Sequence, residues 1–189
     1  DMIILWPMEG EALRSAAQSI VDAGVKLVVY DRLIEGFTAD TFVGDIMGDN
    51  VGIGKNMGEY LNEFFADDDD VQYLRFVGDS STVTSQRSEG MDGVLGDNFN
   101  QAETLVTNWS TEEAQGQMED WLNAHSVEEI EALDLIVTHD DEIVDGIMNA
   151  LDAYSGEATI NVKLITSVGG REETMQKFES TKLGVKFWT

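Results

Sequence analysis

Cysteine is absent from these 189 residues, histidine occurs twice and proline once. The first absence removes disulfides, thiolate nucleophiles and structural zinc of the usual kinds; two histidines leave little for imidazole catalysis. Bases are scarce too. Eleven Lys and Arg stand against 37 Asp and Glu, a formal net charge of -26. Such a field repels phosphate backbones and anionic lipid, which argues against a nucleic-acid or membrane-surface partner. No run approaches the ~20 apolar residues of a membrane span, and no basic signal peptide opens the chain. What is present is ordinary: 42% hydrophobic and 25% charged residues, the composition of a globular chain rather than a disordered acidic tail. Any chemistry must come from carboxylates, hydroxyls or aromatics.

Short apolar runs rich in Ile, Val, Leu or aromatics occupy residues 2–5, 25–30, 73–77, 104–106, 133–137 and 162–165, and read as buried strands. Helical periodicities fill the intervals at 12–23, 52–65, 85–95, 111–123, 141–154 and 172–178. Strand and helix alternate throughout, which predicts an α/β fold with a largely parallel sheet. Ala23-Gly24 supplies a glycine stop to the first helix, and Ser110 stands as a capping hydroxyl before Glu112 and Glu113. The pattern lapses at residues 33–41, the best place for a lobe boundary. Residues 1–6 and 183–189 both read as strands, so the chain is expected to be a piece of a longer protein whose targeting signal is lost.

Asp31 and Arg32 directly follow the strand at 25–30. In a parallel sheet ligands gather outside the carboxyl ends of strands, where a carboxylate and a guanidinium fork suit neighbouring sugar hydroxyls. The pair also reads as a solvated surface ion pair. Trp109 follows the run at 104–106 and offers either an indole platform for a sugar ring or a core tryptophan under a loop. Arg87 lies near the loop at 78–81, as a ligand donor or as a neutraliser of nearby acids. His139-Asp140-Asp141-Glu142 could hold magnesium; equally, Asp141 and Glu142 charge a first helical turn and leave Asp140 pointing into the crevice. Asp67 to Asp70 lack the glycine and distal acid of a calcium loop and read as a solvated turn. Residues 52–55, GIGK, are the first turn of a helix rather than a phosphate loop.

Together these segments resemble the periplasmic sugar-binding proteins of the ribose/xylose type, the ligand-capturing components of ABC importers. The resemblance is carried by residues 1–7 (DMIILWP), 23–32 (AGVKLVVYDR), Val43-Gly44 with 49–52 (DNVG), Gly78-Asp79-Ser80 with 86–91 (QRSEGM), Trp109, and 138–142 (THDDE). No one of these is specific; their order and spacing are. It implies three-layer lobes of the type 1 periplasmic-binding-protein fold: 1–36 a partial first lobe, 37–180 a near-complete second lobe, 181–189 the start of a crossover back. It also implies Asp31 and Arg32 as hydroxyl ligands from the first lobe, Arg87 as a second-lobe donor, Trp109 as an aromatic wall and Asp140 as a polar contact.

Two departures stand out: Asp140 occupies a position where the family usually has Asn, and Gly169 one where it usually has an acid. The resemblance implies binding without catalysis, no cofactor and no metal. A neutral pentose or hexose would be captured outside the cytoplasm by hinge closure and passed to an ABC permease. An unpaired strand edge in the partial lobe would invite self-association. The alternatives are the effector domain of a sugar-responsive repressor and a magnesium-dependent enzyme using Asp140, Asp141 and Glu142.

Overall fold

The structure is a computed structural model that describes residues 1–8, 10–34, 36–37, 41–181 and 183–189. Part of the 33–41 boundary segment, residues 35 and 38–40, lies outside the described residues. The chain divides into two compact units: Asp1–Asn56 with Ser80–Gly93, and Met57–Asp79 with Val94–Thr189.

In the first unit, β1 (Met2–Leu5), β2 (Lys26–Tyr30) and β3 (Gly44–Ile46) form a parallel sheet in that order. β2 alternates, placing Leu27 and Val29 inward on Ala17 of α1 (Gly10–Asp22) and on Ile34. The expected glycine stop is a Schellman turn: Gly24 has φ +72, its N–H donates to the Val21 carbonyl and that of Val25 to the Ile20 carbonyl. β1 is an outer strand and mostly exposed, with Met2 and Ile4 more than half accessible. Also in this unit, the start of α2 (Asn50–Phe64) meets α3 (Thr82–Asp92) through two glycines. A Cβ on Gly54 would collide with the Arg87 carbonyl, and one on Gly90 with the Val51 carbonyl. The two helix backbones therefore touch where no side chain fits.

The second unit holds a five-stranded, all-parallel sheet ordered β5-β4-β6-β7-β8. These strands are β4 (Val71–Val77), β5 (Phe99–Val106), β6 (Leu133–Thr138), β7 (Leu164–Thr166) and β8 (Lys186–Trp188). The α/β class with parallel pairing is thus as expected. The central strands β4 and β6 are buried nearly end to end, as strands covered on both faces must be. One face packs Leu74, Phe76, Ile136 and Ile165 under α4 (Thr111–Ala124), the short α5 (Val127–Glu131) and α6 (Asp141–Ala153). On the opposite face, the far half of α2 and the residue after it bring Met57 to the Thr166 hydroxyl, Tyr60 to Trp188 and Phe65 to Phe99. α7 (Glu172–Ser180) completes the set.

Several helix starts are capped. The Ser110 hydroxyl accepts from the Glu113 N–H as expected, and Ser126 with Glu129 forms a capping box at α5, a helix too short for its periodicity to be read. The Ser126 backbone N–H and hydroxyl hold the Glu129 carboxyl below its ordinary value. The acidic turn at 67–70 is solvated but anchored. Lys163 reaches Asp68 at 2.8 Å and Asp134 at 3.0 Å, and these two carboxylates, Asp68 first, raise its pKa above the ordinary lysine value. From residue 88 to residue 162 the chain contains 18 acids and no Lys or Arg. Among the described residues no helix is long and apolar enough to cross a membrane.

Candidate functional site

In the first unit, β1 and β2 run side by side with Leu5 opposite Val29, so their carboxyl ends open together. β1 delivers Trp6 there and β2 delivers Asp31 and Arg32. Asp31 adopts φ 68, a left-handed conformation that costs a non-glycine residue energy, and its N–H is fixed on the Ile46 carbonyl of β3. The Trp6 indole N–H donates to Asp31 Oδ2 at 2.9 Å, and Arg32 Nε donates to the same oxygen at 3.3 Å. Arg32 is only 6% exposed, and its Nη1 donates to the Met8 carbonyl at 2.9 Å; its guanidinium also lies 5.8 Å from the Trp6 ring centroid. The pair is therefore not a loose surface ion pair: Arg32 is a buried brace and the Asp31 carboxylate is its half-exposed end. Arg87, half-buried on α3, donates from Nε to Asn50 Oδ1 at 3.1 Å in the same unit.

In the second unit, Trp109 follows β5 and Asp140 follows β6. Asn108 and Trp109 have φ 50 and φ 60, two successive left-handed residues that swing the indole over the end of β4. There the ring lies on the backbone of Gly78, where a Cβ would collide with it. Trp109 is thus half-buried, in neither the open nor the core extreme of its two readings, with its ring 6.5 Å from that of the buried His139.

The acids at 140–142 carry three separate structural tasks. Asp140 is the N-cap of α6, its Oδ1 accepting from the Ile143 N–H at 2.9 Å, so one oxygen is already engaged by the helix. Asp141, 1% exposed, accepts from the Ser167 hydroxyl at 2.5 Å and the Arg171 N–H at 2.6 Å. It therefore does more than charge the first turn: it ties α6 to the loop after β7. Glu142 pairs with Arg171 at 2.8 Å. Among the described residues no group of three His, Asp or Glu side chains is placed to hold a metal ion. The Asp141 carboxylate also explains Gly169, since it occupies the room that a side chain there would need.

Hydroxyls line the remaining strand ends of this unit, but inward. Thr107 donates to the Val77 carbonyl at 2.9 Å and Thr138 to the Thr166 carbonyl at 2.7 Å, all of them buried. They stitch the rim of the sheet together and leave the indole of Trp109 and the head of Asp140 as its outer features. The residue overlooked in the sequence is Trp6. Its place at the end of the first apolar run, just before Pro7, is the available signal, and the pattern alone reads it as part of the strand.

The strand-end geometry now has a context. Residues 1–184 match the family described as Periplasmic binding protein domain. The D-xylose-binding periplasmic protein of Haemophilus influenzae is 25% identical over 170 residues, 85% of this chain and 48% of that protein. Among solved structures, a Mycobacterium smegmatis protein in complex with beta-D-fucofuranose superposes with a TM-score of 0.83 at 17% identity, over 100% of this chain and 60% of that one. A Caulobacter myo-inositol binding protein bound to myo-inositol gives 0.80 at 20% identity, over 95% and 59%. At these identities the superpositions speak for the fold alone, and the chain spans about half to three-fifths of the length of these relatives. Because the family match runs through both units and nearly from end to end, this chain belongs to the periplasmic binding protein domain family.

Proposed function

We propose that this chain is part of an extracytoplasmic solute-binding protein that captures a neutral sugar, a pentose or hexose, for an ABC importer. The observation that carries the reading is the Asp31–Arg32 pair at the carboxyl end of β2, with its half-exposed carboxylate braced by a buried guanidinium. A fixed carboxylate accepts from two adjacent hydroxyls, the pattern a sugar edge presents and a flat apolar ligand does not. Trp109 adds an aromatic face at another strand end, suited to the C–H side of a sugar ring. Arg87 and Asp140 are assigned further polar contacts. An uncharged ligand fits a chain of net charge -26, which would oppose the approach of an anion. The sugars named for the relatives, D-xylose, beta-D-fucofuranose and myo-inositol, are all neutral polyols and support the same class.

Capture is assigned to closure of two lobes, an equilibrium that a ligand shifts only by binding the closed form more tightly than the open one. The permease is the partner that the importer reading requires. Isothermal titration calorimetry of the full-length protein against D-xylose, D-ribose, L-arabinose, D-glucose and D-galactose tests the reading. Saturable binding of at least one is expected, and heat of dilution alone with all five would sink it.

A further inference from the structure

We propose that Trp6 is a third member of the sugar-recognising set in the first unit, setting the direction of the Asp31 carboxylate through its N–H and offering its ring face to the ligand. This deepens the sugar-binding reading and rests on it.

Three observations converge. The first is exposure: Trp6, at the end of the outer strand β1, is 44% accessible, so its ring can be reached from solvent. Second, its N–H is not turned to solvent. It donates at 2.9 Å to Asp31 Oδ2, the oxygen that also accepts from Arg32, so every hydrogen bond to this carboxylate among the described residues falls on Oδ2. Oδ1 is left with both lone pairs to accept from incoming hydroxyls, its direction fixed by two donors on its sister oxygen. The third observation is the position of Arg32, whose guanidinium lies 5.8 Å from the indole centroid while bonded to the Met8 carbonyl. This contact holds the ring plane, with Tyr30 stacked at 6.4 Å from its own strand end. The part of the indole that these two neighbours leave accessible is pre-organised, and packing a C–H face on it needs little further ordering.

The chemistry selects among sugars. A ligand needs an edge of adjacent hydroxyls for Asp31 and, next to it, a face of axial C–H bonds for Trp6. An all-equatorial pyranose satisfies both; a sugar whose axial hydroxyl points at the indole satisfies only the first. Trp6 therefore acts on selectivity as well as affinity.

The test uses the full-length protein and the five-sugar panel above. Trp6→Ala is expected to weaken the best ligand about tenfold or more and to narrow the spread between epimers. Trp6→Phe, which keeps a ring but loses the N–H, is expected to lose about threefold. Independently of any variant, saturating sugar should protect Trp6 of the wild type from oxidation by N-bromosuccinimide, read by mass spectrometry on the peptide that carries it. Wild-type affinity and selectivity in a folded Trp6→Ala protein, or Trp6 oxidised at the same rate with and without a bound sugar, would overturn the proposal while leaving the sugar-binding reading intact. A wild type that binds none of the five sugars overturns both.

Discussion

The two sheets of this chain follow the same parallel rule and differ in what closes over them. The three-stranded sheet rests on a cluster of four buried apolar residues, Ala17, Leu27, Val29 and Ile34. The five-stranded sheet has helices on both faces, and one face alone buries a cluster running from Leu74 and Phe76 to Ile165 and Val185. Charge follows the same division. The unit with the smaller sheet carries 11 acids and 5 bases, a net -6, and the unit with the larger sheet 26 acids and 6 bases, a net -20. The unit that bears more mutual repulsion is thus the one with more apolar surface to offset it. Within this chain the sheet with the smaller buried cluster, with β1 mostly exposed, is expected to be the more easily opened part.

Core truncation tests this difference most strongly. Phe76→Ala removes a fully buried ring from the larger sheet and should cost about 3–5 kcal/mol in urea denaturation. Leu27→Ala, in the smaller cluster, should abolish hydrogen-exchange protection of β1 and β2 amides while those of β4 and β6 stay protected. Equal loss of protection in both sheets would erase the contrast.

A smaller effect separates structure from binding at Asp140. Without ligand, Asp140→Ala should lower stability by about 1 kcal/mol through loss of the α6 cap, whereas Asp140→Asn, which can still cap, should change it by a few tenths. Thermal melts of the unliganded variants decide this. If both leave the melting curve unchanged, Asp140 has no share in holding the larger unit.

The smallest effect belongs to Lys163, whose side chain is nearly half exposed. Because its folded pKa is raised above the ordinary 10.5, the stability it contributes is fully present below that pH and is lost as pH climbs through the folded value. Lys163→Met should therefore cost about 0.3 kcal/mol near neutrality, after solvent screening, and nothing once the wild-type lysine is deprotonated. Urea midpoints of the two proteins should converge in strongly alkaline buffer.

Much of the fold is legible in the sequence because buried parallel strands announce themselves as apolar runs: each of the six runs overlaps a strand. What the apolar runs and periodicities miss is short or polar. β3 has three residues with little burial, α5 has a single turn and a half, and the first five residues of β5 are an exposed edge with the sequence FNQAE. The site divides in the same way. Asp31 and Arg32 are readable because their place at a strand end is a local fact. The roles of Asp140 and Asp141 are not, since which carboxylate caps and which reaches across depends on Ser167 and the Arg171 N–H, about 30 residues later. Trp6 is misread for a related reason: only the fold reveals that its indole meets a carboxylate 25 residues on.

The stretch from 88 to 162, with its 18 acids and no Lys or Arg, includes three successive helices, α4, α5 and α6, without a basic side chain of their own. Arg171 and Lys177 pair with Glu142 and Asp145 of α6, and the rest of the balancing charge comes from dissolved cations. Neighbouring acids such as Glu112 and Glu113, or Glu128 and Glu129, lie well inside the ~10 Å over which 0.1 M salt screens, and only near 1 M does that distance shrink to ~3 Å. Salt is therefore expected to stabilise this molecule, read as a higher urea midpoint in 1 M than in 0.01 M sodium chloride.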